Sequence, residues 1–210
     1  MRQPLPAETR SDRRRARTRA ALIEAARLVF AEHGVEGATI QQITDTADVA
    51  KGSFYNHFES REEIQRAVAA EALEALGAAL DREVEQKEPD PARVIAASLA
   101  CTLRTCIEDP ALGGFLLRDG DLLELGGAIG RRGRRDLLRG RRSGRFHIED
   151  VDTLMTALGG AGQALLRKRL RGELPAASER RFVALALRML GVAPDEADVI
   201  SRETWKAART

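Results

Sequence analysis

The fold is decided by the thirty residues 34–63, which read GVEGATIQQITDTADVAKGSFYNHFESREE. The apolar spacing predicts a short helix over 40–47, a tight turn at 48–49 and a second short helix over about 50–56. A serine followed three residues later by glutamate then predicts the start of a long helix over 60–85. Two short helices joined by a tight turn are typical of a helix-turn-helix, whose second helix enters a DNA major groove ~12 Å wide.

The residues before this stretch predict another helix, from about Arg13 to His33, with Gly34 as its C-terminal cap. Residues 1–11 contain two prolines and few apolar side chains, so we expect a disordered lead-in. Thr39 precedes Ile40 as an N-cap. The apolar side chains expected to form the core of this domain are Phe30, Ile43, Val49, Phe54 and Phe58.

After a proline-containing connector at 87–91, the sequence predicts about six further helices and no strand. The glycine-rich stretch 121–146 is expected to be interrupted, mobile or closely packed, because each glycine costs about 1 kcal/mol inside a helix. The chain is therefore predicted to be all-α, with a three-helix helix-turn-helix domain at 12–60 and a larger helical domain at 61–207. The other predicted helices are 92–108, 110–118, 148–171, 178–190 and 194–207.

Composition agrees with a folded helical protein. Hydrophobic residues make up 43% of the 210 residues and aromatics only 4%, while 34 Lys and Arg nearly balance 32 Asp and Glu. Cys101 and Cys106 are predicted to be small buried hydrophobes, with redox sensing as the alternative. The three histidines are scattered, so we expect no metal and no cofactor. No apolar run is long enough for a membrane helix, which predicts a cytoplasmic protein.

Residues 18–64 resemble the DNA-binding domain of the TetR family of transcriptional regulators. The resemblance rests on residues 34–40 and 48–63. They follow the family's Gly-x-x-x-x-Thr and its Val-(Ser/Ala)-Lys-Gly-x-(Leu/Phe)-Tyr-x-(His/Tyr)-Phe pattern. Two positions depart from it. Arg61 replaces the usual lysine and keeps a phosphate-binding charge, while Asp48 replaces a small residue in the turn.

The resemblance assigns roles to particular side chains. Tyr55 and His57 can donate hydrogen bonds to phosphate oxygens, and Gly52 lets the backbone approach DNA closely. Lys51 favours guanine acceptors, and Gln41 can pair with adenine. The residues expected to contact DNA are Thr39, Gln41, Lys51, Gly52, Ser53, Tyr55, Asn56, His57 and Arg61.

In TetR-like proteins the C-terminal helices enclose a ligand pocket and form a homodimer, so residues 61–207 are expected to do both. The candidate ligand-binding residues are Leu99, Thr102, Leu103, Cys106, Phe115, Leu122 and Ile129, for each of which plain core is the favoured explanation. The candidate dimer residues are Leu154, Leu158, Leu165, Phe182, Leu185 and Met189.

Two arginine clusters have open roles. The arginines over 10–19 predict either a flexible arm that contacts DNA or a solubilising tail. The eight arginines of 131–145 favour a solvated surface, with an acidic ligand site or an extra DNA contact as alternatives.

The predicted function is that of a DNA-binding regulator, a repressor that a small molecule releases from a palindromic operator. The segment after the helix-turn-helix has no nucleophile elbow and no phosphate loop, so an enzyme is not expected. One alternative is a helix-turn-helix protein controlled by a protein partner or acting without a ligand. Another is a helical enzyme or adaptor that matches the motif by accident.

Overall fold

The computed structural model describes residues 9–82, 89–118 and 128–207, and within these ranges it contains ten helices and no strand. The predicted all-α class is confirmed. The helices are α1 (Arg10–Gly37), α2 (Ile40–Thr46), α3 (Lys51–Phe54), α4 (Arg61–Leu80), α5 (Pro91–Glu108), α6 (Pro110–Arg118), α7 (Ala128–Arg142), α8 (Val151–Leu170), α9 (Ser178–Met189) and α10 (Pro194–Ala207).

The chain divides into two compact units, the first ending at Ala69 and the second beginning at Ala70. Both units contain part of α4, and the predicted end of this helix at residue 85 lies outside the described residues. The capping box predicted at its start is shifted by one residue. The N–H of Glu63 donates to Ser60 Oγ at 3.2 Å, but the Glu63 carboxylate accepts from the N–H of Glu59.

α1 differs from its prediction at its start and agrees at Gly34. A capping box between Thr9 and Asp12 begins the helix at Arg10, so the last two residues of the predicted disordered lead-in are helical. Gly34 has φ 70° and ψ 163°, a positive-φ conformation that glycine adopts readily, and it interrupts the helical turns before Ala38.

The first unit has a continuous apolar core made by α1, α2, α3 and the start of α4. At the centre of this core are Leu22, Ile43, Phe54, Phe58 and Ile64, each at most 1% exposed. Four of the five predicted core residues are buried there, and Val49 packs against them from its edge.

The second unit is built around α5, α9 and α10. Small residues of α5, including Ala96 and Ala100, are fully buried and let the neighbouring helices approach closely. Against them pack Val183, Leu187 and Ile200, each at most 1% exposed. This core supports the walls of the cavity described below.

The described part of the glycine-rich stretch, from residue 128 onward, is mainly the regular helix α7. Gly140 is where close packing is needed, because a β-carbon at that position would overlap the ring of Phe146. The prediction of close packing is therefore confirmed at Gly140, whereas Gly126 and Gly127 lie outside the described residues. α8 begins at Val151, later than the predicted 148, because the Asp150 carboxylate caps it by accepting from the N–H of Thr153.

Candidate functional site

The second helix of the helix-turn-helix, α3, is shorter than predicted and covers only Lys51–Phe54. The chain nevertheless continues in helical turns, because the N–H groups of His57 and Phe58 both donate to the carbonyl oxygen of Phe54, at 2.9 and 3.0 Å. These turns hold the predicted DNA-contact residues from Lys51 to His57 on one ordered segment.

Two buried aromatic rings fix the orientation of this segment. Phe54 and Phe58 are at most 1% exposed, and their ring centroids lie 5.6 Å apart. Tyr55 points outward and is 55% exposed, while its ring meets the Phe54 ring edge-on at 5.4 Å. The phenolic hydroxyl is therefore presented to solvent on a ring that the core holds in place.

The sharp turn before α3 depends on Asp48, which has φ 53°. Aspartate tolerates this left-handed conformation better than most residues because its short side chain can bond to nearby backbone groups. The departure from the family's small turn residue therefore preserves a tight turn.

Six of the nine predicted DNA-contact residues are exposed in the first unit: Thr39, Gln41, Lys51, Gly52, Tyr55 and Asn56. The hydroxyl of Thr39 caps α2 by accepting from the N–H of Gln42 at 3.2 Å, and it donates to that residue's Oε1 at 2.8 Å. The amide of Gln41 donates to Asp45 at 2.8 Å. Both polar groups therefore have partners before any DNA contact.

The remaining three predicted residues, Ser53, His57 and Arg61, are half-buried. Arg61 Nη1 donates to the backbone carbonyl oxygens of Glu36 and Ala38, both at 3.1 Å. This side chain ties the start of α4 to the turn before α2. A positioning role is therefore visible for Arg61 alongside its expected phosphate contact.

The structure also brings Arg15 and Arg19 of α1 to the same surface, which the sequence interpretation treated only as part of a basic arm. Arg15 Nη2 donates to the carbonyl oxygen of Asn56 at 3.2 Å, and the Arg19 guanidinium lies 4.9 Å from the centroid of the Phe58 ring. Burial, followed by the charges of these two arginines, lowers the pKa of His57. Both arginines are exposed, and the available signal was their i, i+4 spacing in the same helical register as the buried Leu22 and Ala26.

A cavity of about 150 Å³ opens within the second unit, between α4, α5, α7, α8 and α9. Its lining is mainly apolar, and five of the seven predicted ligand residues belong to it: Leu99, Thr102, Leu103, Cys106 and Ile129. Leu122 lies outside the described residues, as does the side chain of Phe115. Leu158 and Phe182, predicted at a dimer interface, also line this cavity.

One wall of the cavity carries charged side chains from α7 and from Asp81, just after α4, which were not predicted from the sequence. Together with Glu74 of α4, they form an alternating chain in the order Glu74, Arg132, Asp81, Arg135 and Asp136. In that order, the successive nitrogen–oxygen distances are 2.8, 2.8, 3.0 and 3.0 Å. All but Glu74 line the cavity.

Burial affects the two aspartates of this chain differently. Asp136 is 4% exposed, and burial raises its pKa, with the Asp81 charge adding to the effect. Burial alone would also raise the pKa of Asp81, but hydrogen bonds from Arg132 and Arg135 outweigh burial and lower it. The carboxylate of Asp136 is thus the more readily protonated of the two.

The solvated surface favoured for the arginines of 131–145 describes only half of them: Arg131, Arg135, Arg141 and Arg142 are exposed, whereas Arg132, Arg134, Arg139 and Arg145 are half-buried. Besides the chain just described, Arg145 bonds to both Asp90 and Glu196, with its closest contacts at 2.8 and 2.6 Å, and Arg134 pairs with Asp152. Sequence could not show this because the partners of Arg132 and Arg145 are 51 to 58 residues away along the chain.

The remaining candidate dimer residues lie on α8 and α9. Leu185 and Met189 are 54% and 47% exposed, which is unusual for large apolar side chains. Exposed small residues of α8 include Ala157, Gly160 and Ala161. Leu154 and Leu165 are half-buried.

Cys101 and Cys106 are both free thiols and form no disulfide with each other. Cys106 is 1% exposed and lines the cavity, and burial, followed by the nearby Asp109, raises its pKa to about 12. A thiol with this pKa is inert at neutral pH. Across the described ranges, no group of three His, Cys, Asp or Glu residues is arranged to hold a metal, and no helix is long and apolar enough to cross a membrane.

The helix-turn-helix unit and the cavity-containing helical unit together define a one-component DNA-binding regulator. Comparison with known families agrees. Residues 22–68 match the family described as bacterial regulatory proteins, tetR family, and residues 90–203 match the tetracyclin repressor-like C-terminal domain. The chain belongs to the TetR family, and it is a helix-turn-helix transcriptional regulator.

Several relatives place the chain within this family. The crystal structure of RolR in complex with resorcinol is 40% identical, with a TM-score of 0.79, and the match covers 90% of this chain and 95% of RolR. The transcriptional repressor DhaR of Mycobacterium sp. (strain GP1) is 37% identical over 84 residues, 40% of this chain and 42% of DhaR. The repressor AcnR of Corynebacterium diphtheriae is 40% identical over 50 residues, 24% of this chain and 26% of AcnR. The alignments therefore span less than half the length of these two curated relatives.

Proposed function

We propose that this protein is a repressor that binds its operator without ligand and is released when a small molecule enters the cavity of the second unit. The cavity is the observation that carries this proposal. A regulator that senses no small molecule would be expected to have a filled C-terminal core. We assign DNA binding to residues 12–60 and ligand binding with dimerisation to residues 61–207.

The size of the cavity limits the effector. An apolar cavity of about 150 Å³ admits a molecule such as benzene. RolR, at 40% identity, was crystallised with resorcinol, a single ring with two hydroxyl groups. We therefore infer a one-ring phenolic effector whose ring contacts the apolar lining and whose hydroxyl groups reach the charged wall formed by α7 and Asp81.

Asp136 is the side chain best suited to accept a hydrogen bond from such a hydroxyl. It lines the cavity, and it is almost completely buried. Because a buried carboxylate is costly when its hydrogen bonds are incomplete, an added donor from a ligand stabilises it more than it would at the surface.

Two copies of the chain are needed to read DNA selectively, since one short helix contacts only a few base pairs. The exposed Leu185 and Met189 of α9, beside the small residues Ala157, Gly160 and Ala161 of α8, suit a helix interface between two copies. A two-fold dimer would place two copies of α3 on the half-sites of a palindrome.

We infer that α4 couples the two functions. The helix begins at Arg61, which bonds to the turn before α2, and its later residues Gly77 and Leu80 line the cavity. Ligand contact with the end of α4 would change the separation of the two reading helices, so several DNA contacts would be lost together.

The first experiment is selection of bound sequences from a random DNA library, followed by titration of the selected DNA complex with resorcinol. An enriched palindrome that resorcinol releases would support the whole proposal. An enriched palindrome that resorcinol and related phenols leave bound would reject the effector class and retain the regulator. Salt-sensitive binding without enrichment would reject sequence-specific repression.

A further inference from the structure

Both arginines of the cavity's charged wall are paired with carboxylates. Asp81 and Asp136 alternate with Arg132 and Arg135 on the lining, so these four side chains sum to zero charge when all are ionised. Glu74 does not line the cavity; it joins the chain through Arg132 and also pairs with Arg131 at 3.8 Å. Each arginine already bonds to two of the three carboxylates. Neither arginine therefore offers an uncompensated positive charge to a ligand.

Gly77 of α4 leaves the space that the guanidinium group of Arg132 occupies. A β-carbon at Gly77 would lie 2.5 Å from Arg132 Nη1 and 2.7 Å from Cζ, well inside van der Waals contact. The guanidinium thus lies directly over the backbone of α4, between Glu74 and Asp81. From there its three nitrogens reach both carboxylates.

We propose that this chain of charges makes the cavity selective for an uncharged, hydroxyl-bearing ring and excludes a carboxylate of the same shape. The inference rests on the proposed function, in that it takes the cavity as the effector site. A benzoate would bring a second negative charge beside Asp136 and would find both arginines neutralised. A phenolic hydroxyl brings a proton donor that an aspartate oxygen can accept without adding charge.

A cationic ligand is disfavoured for a different reason. Most of the lining is apolar, with Leu99, Leu103 and Leu116 among its side chains, so an ammonium group would lose its hydration when it entered. The carboxylates of the charged wall are also already paired with Arg132 and Arg135, so they offer an ammonium group no unpaired negative charge. Selectivity should therefore favour neutral ligands over both ions.

The test compares three one-ring probes by isothermal titration calorimetry with the full-length protein at neutral pH. They are resorcinol, 3-hydroxybenzoate and 3-hydroxybenzylamine, which share a ring and one hydroxyl and differ in the charge of the second group. We expect resorcinol to bind at least about tenfold more tightly than either ion, because each ion must be desolvated beside charges that are already paired. Equal or tighter binding of either ion would overturn the proposal.

Two variants separate the charge of the chain from direct ligand contact. Glu74→Gln removes one negative charge from a side chain that does not line the cavity, and Asp152→Asn removes one from a carboxylate paired with Arg134. The two carboxylates are matched, with 53% and 52% exposure. We expect only Glu74→Gln to narrow the preference for resorcinol over 3-hydroxybenzoate, by about threefold. No narrowing, or the same narrowing in both variants, would count against the inference.

The outcomes also distinguish this inference from the function on which it rests. If resorcinol binds and 3-hydroxybenzoate binds as well, the effector site stands and its charge selectivity is refuted. If none of the three probes binds, the one-ring effector is wrong, and the inference fails with it.

Discussion

Replacing the hydroxyl of Tyr55 should weaken operator binding without affecting the fold. The ring is 55% exposed and held edge-on against Phe54, and its hydroxyl has no hydrogen-bond partner among the residues that the structure describes. Tyr55→Phe should therefore change the free energy of unfolding by less than about 0.5 kcal/mol. Losing one phosphate hydrogen bond costs about 1 kcal/mol per protomer. For a dimer the sum is about 2 kcal/mol, or roughly a 30-fold increase in Kd.

The assay is fluorescence anisotropy with the selected operator at physiological ionic strength, together with thermal unfolding of the same preparations. Ser143→Ala is the control, because it removes an exposed hydroxyl from the second unit, outside the expected DNA surface. Unchanged operator affinity in Tyr55→Phe would refute the phosphate contact. A loss of affinity accompanied by an equal loss of stability would show that Tyr55 acts through the fold.

Three further predictions concern the second unit. In urea unfolding, Gly113→Ala should destabilise it by about 2 kcal/mol, because the new β-carbon would overlap a backbone carbonyl oxygen of α5. The control is Gly114→Ala, whose β-carbon has no neighbouring atom within 4 Å, so it should stabilise α6 by up to about 1 kcal/mol. Arg169→Met should cost about 3 kcal/mol in the same assay, since it leaves Glu179, which is 2% exposed, without its cation; a cost below 1 kcal/mol would contradict this. Burial would raise the pKa of Asp90, but hydrogen bonds from Arg145 and from the N–H of Ala92 lower it overall. The stability that the ionised Asp90 contributes is therefore present above about pH 4 and is lost as the pH falls. Asp90→Asn should show a shallower loss of unfolding free energy on acidification.

The helix-turn-helix could be predicted from sequence because its determinants are local. Thr39 caps α2, Gly34 ends the first helical segment, and Phe54 and Phe58 are four residues apart, so all three signals fall within 25 residues. The length of α3 could not be predicted. It depends on how the turns after Phe54 pack into the core, which helix propensity does not describe.

The apolar lining of the cavity was partly predictable and its charged wall was not. Leu99, Thr102, Leu103 and Cys106 follow the helical periodicity of α5, so one face of that helix could be identified in advance. The pairing of Arg132 with Asp81 joins two residues that are 51 positions apart in the sequence, and no local pattern encodes it. An arginine-rich amphipathic helix resembles a solvated one until its partners are known.

The position of the charged chain argues for recognition over stability. Replacing a buried ion pair by well-packed apolar side chains is often neutral or stabilising, so Asp136, at 4% exposure, is weak evidence for a stabilising role. The ion pairs of Arg145 with Asp90 and Glu196 differ from this chain, because none of these three residues lines the cavity. The arginines of this region therefore have two arrangements: Arg132 and Arg135 of α7 line the cavity, and Arg145, which follows α7, joins segments outside it. Only the first arrangement retains a nearly buried carboxylate, which a ligand that donates hydrogen bonds would stabilise.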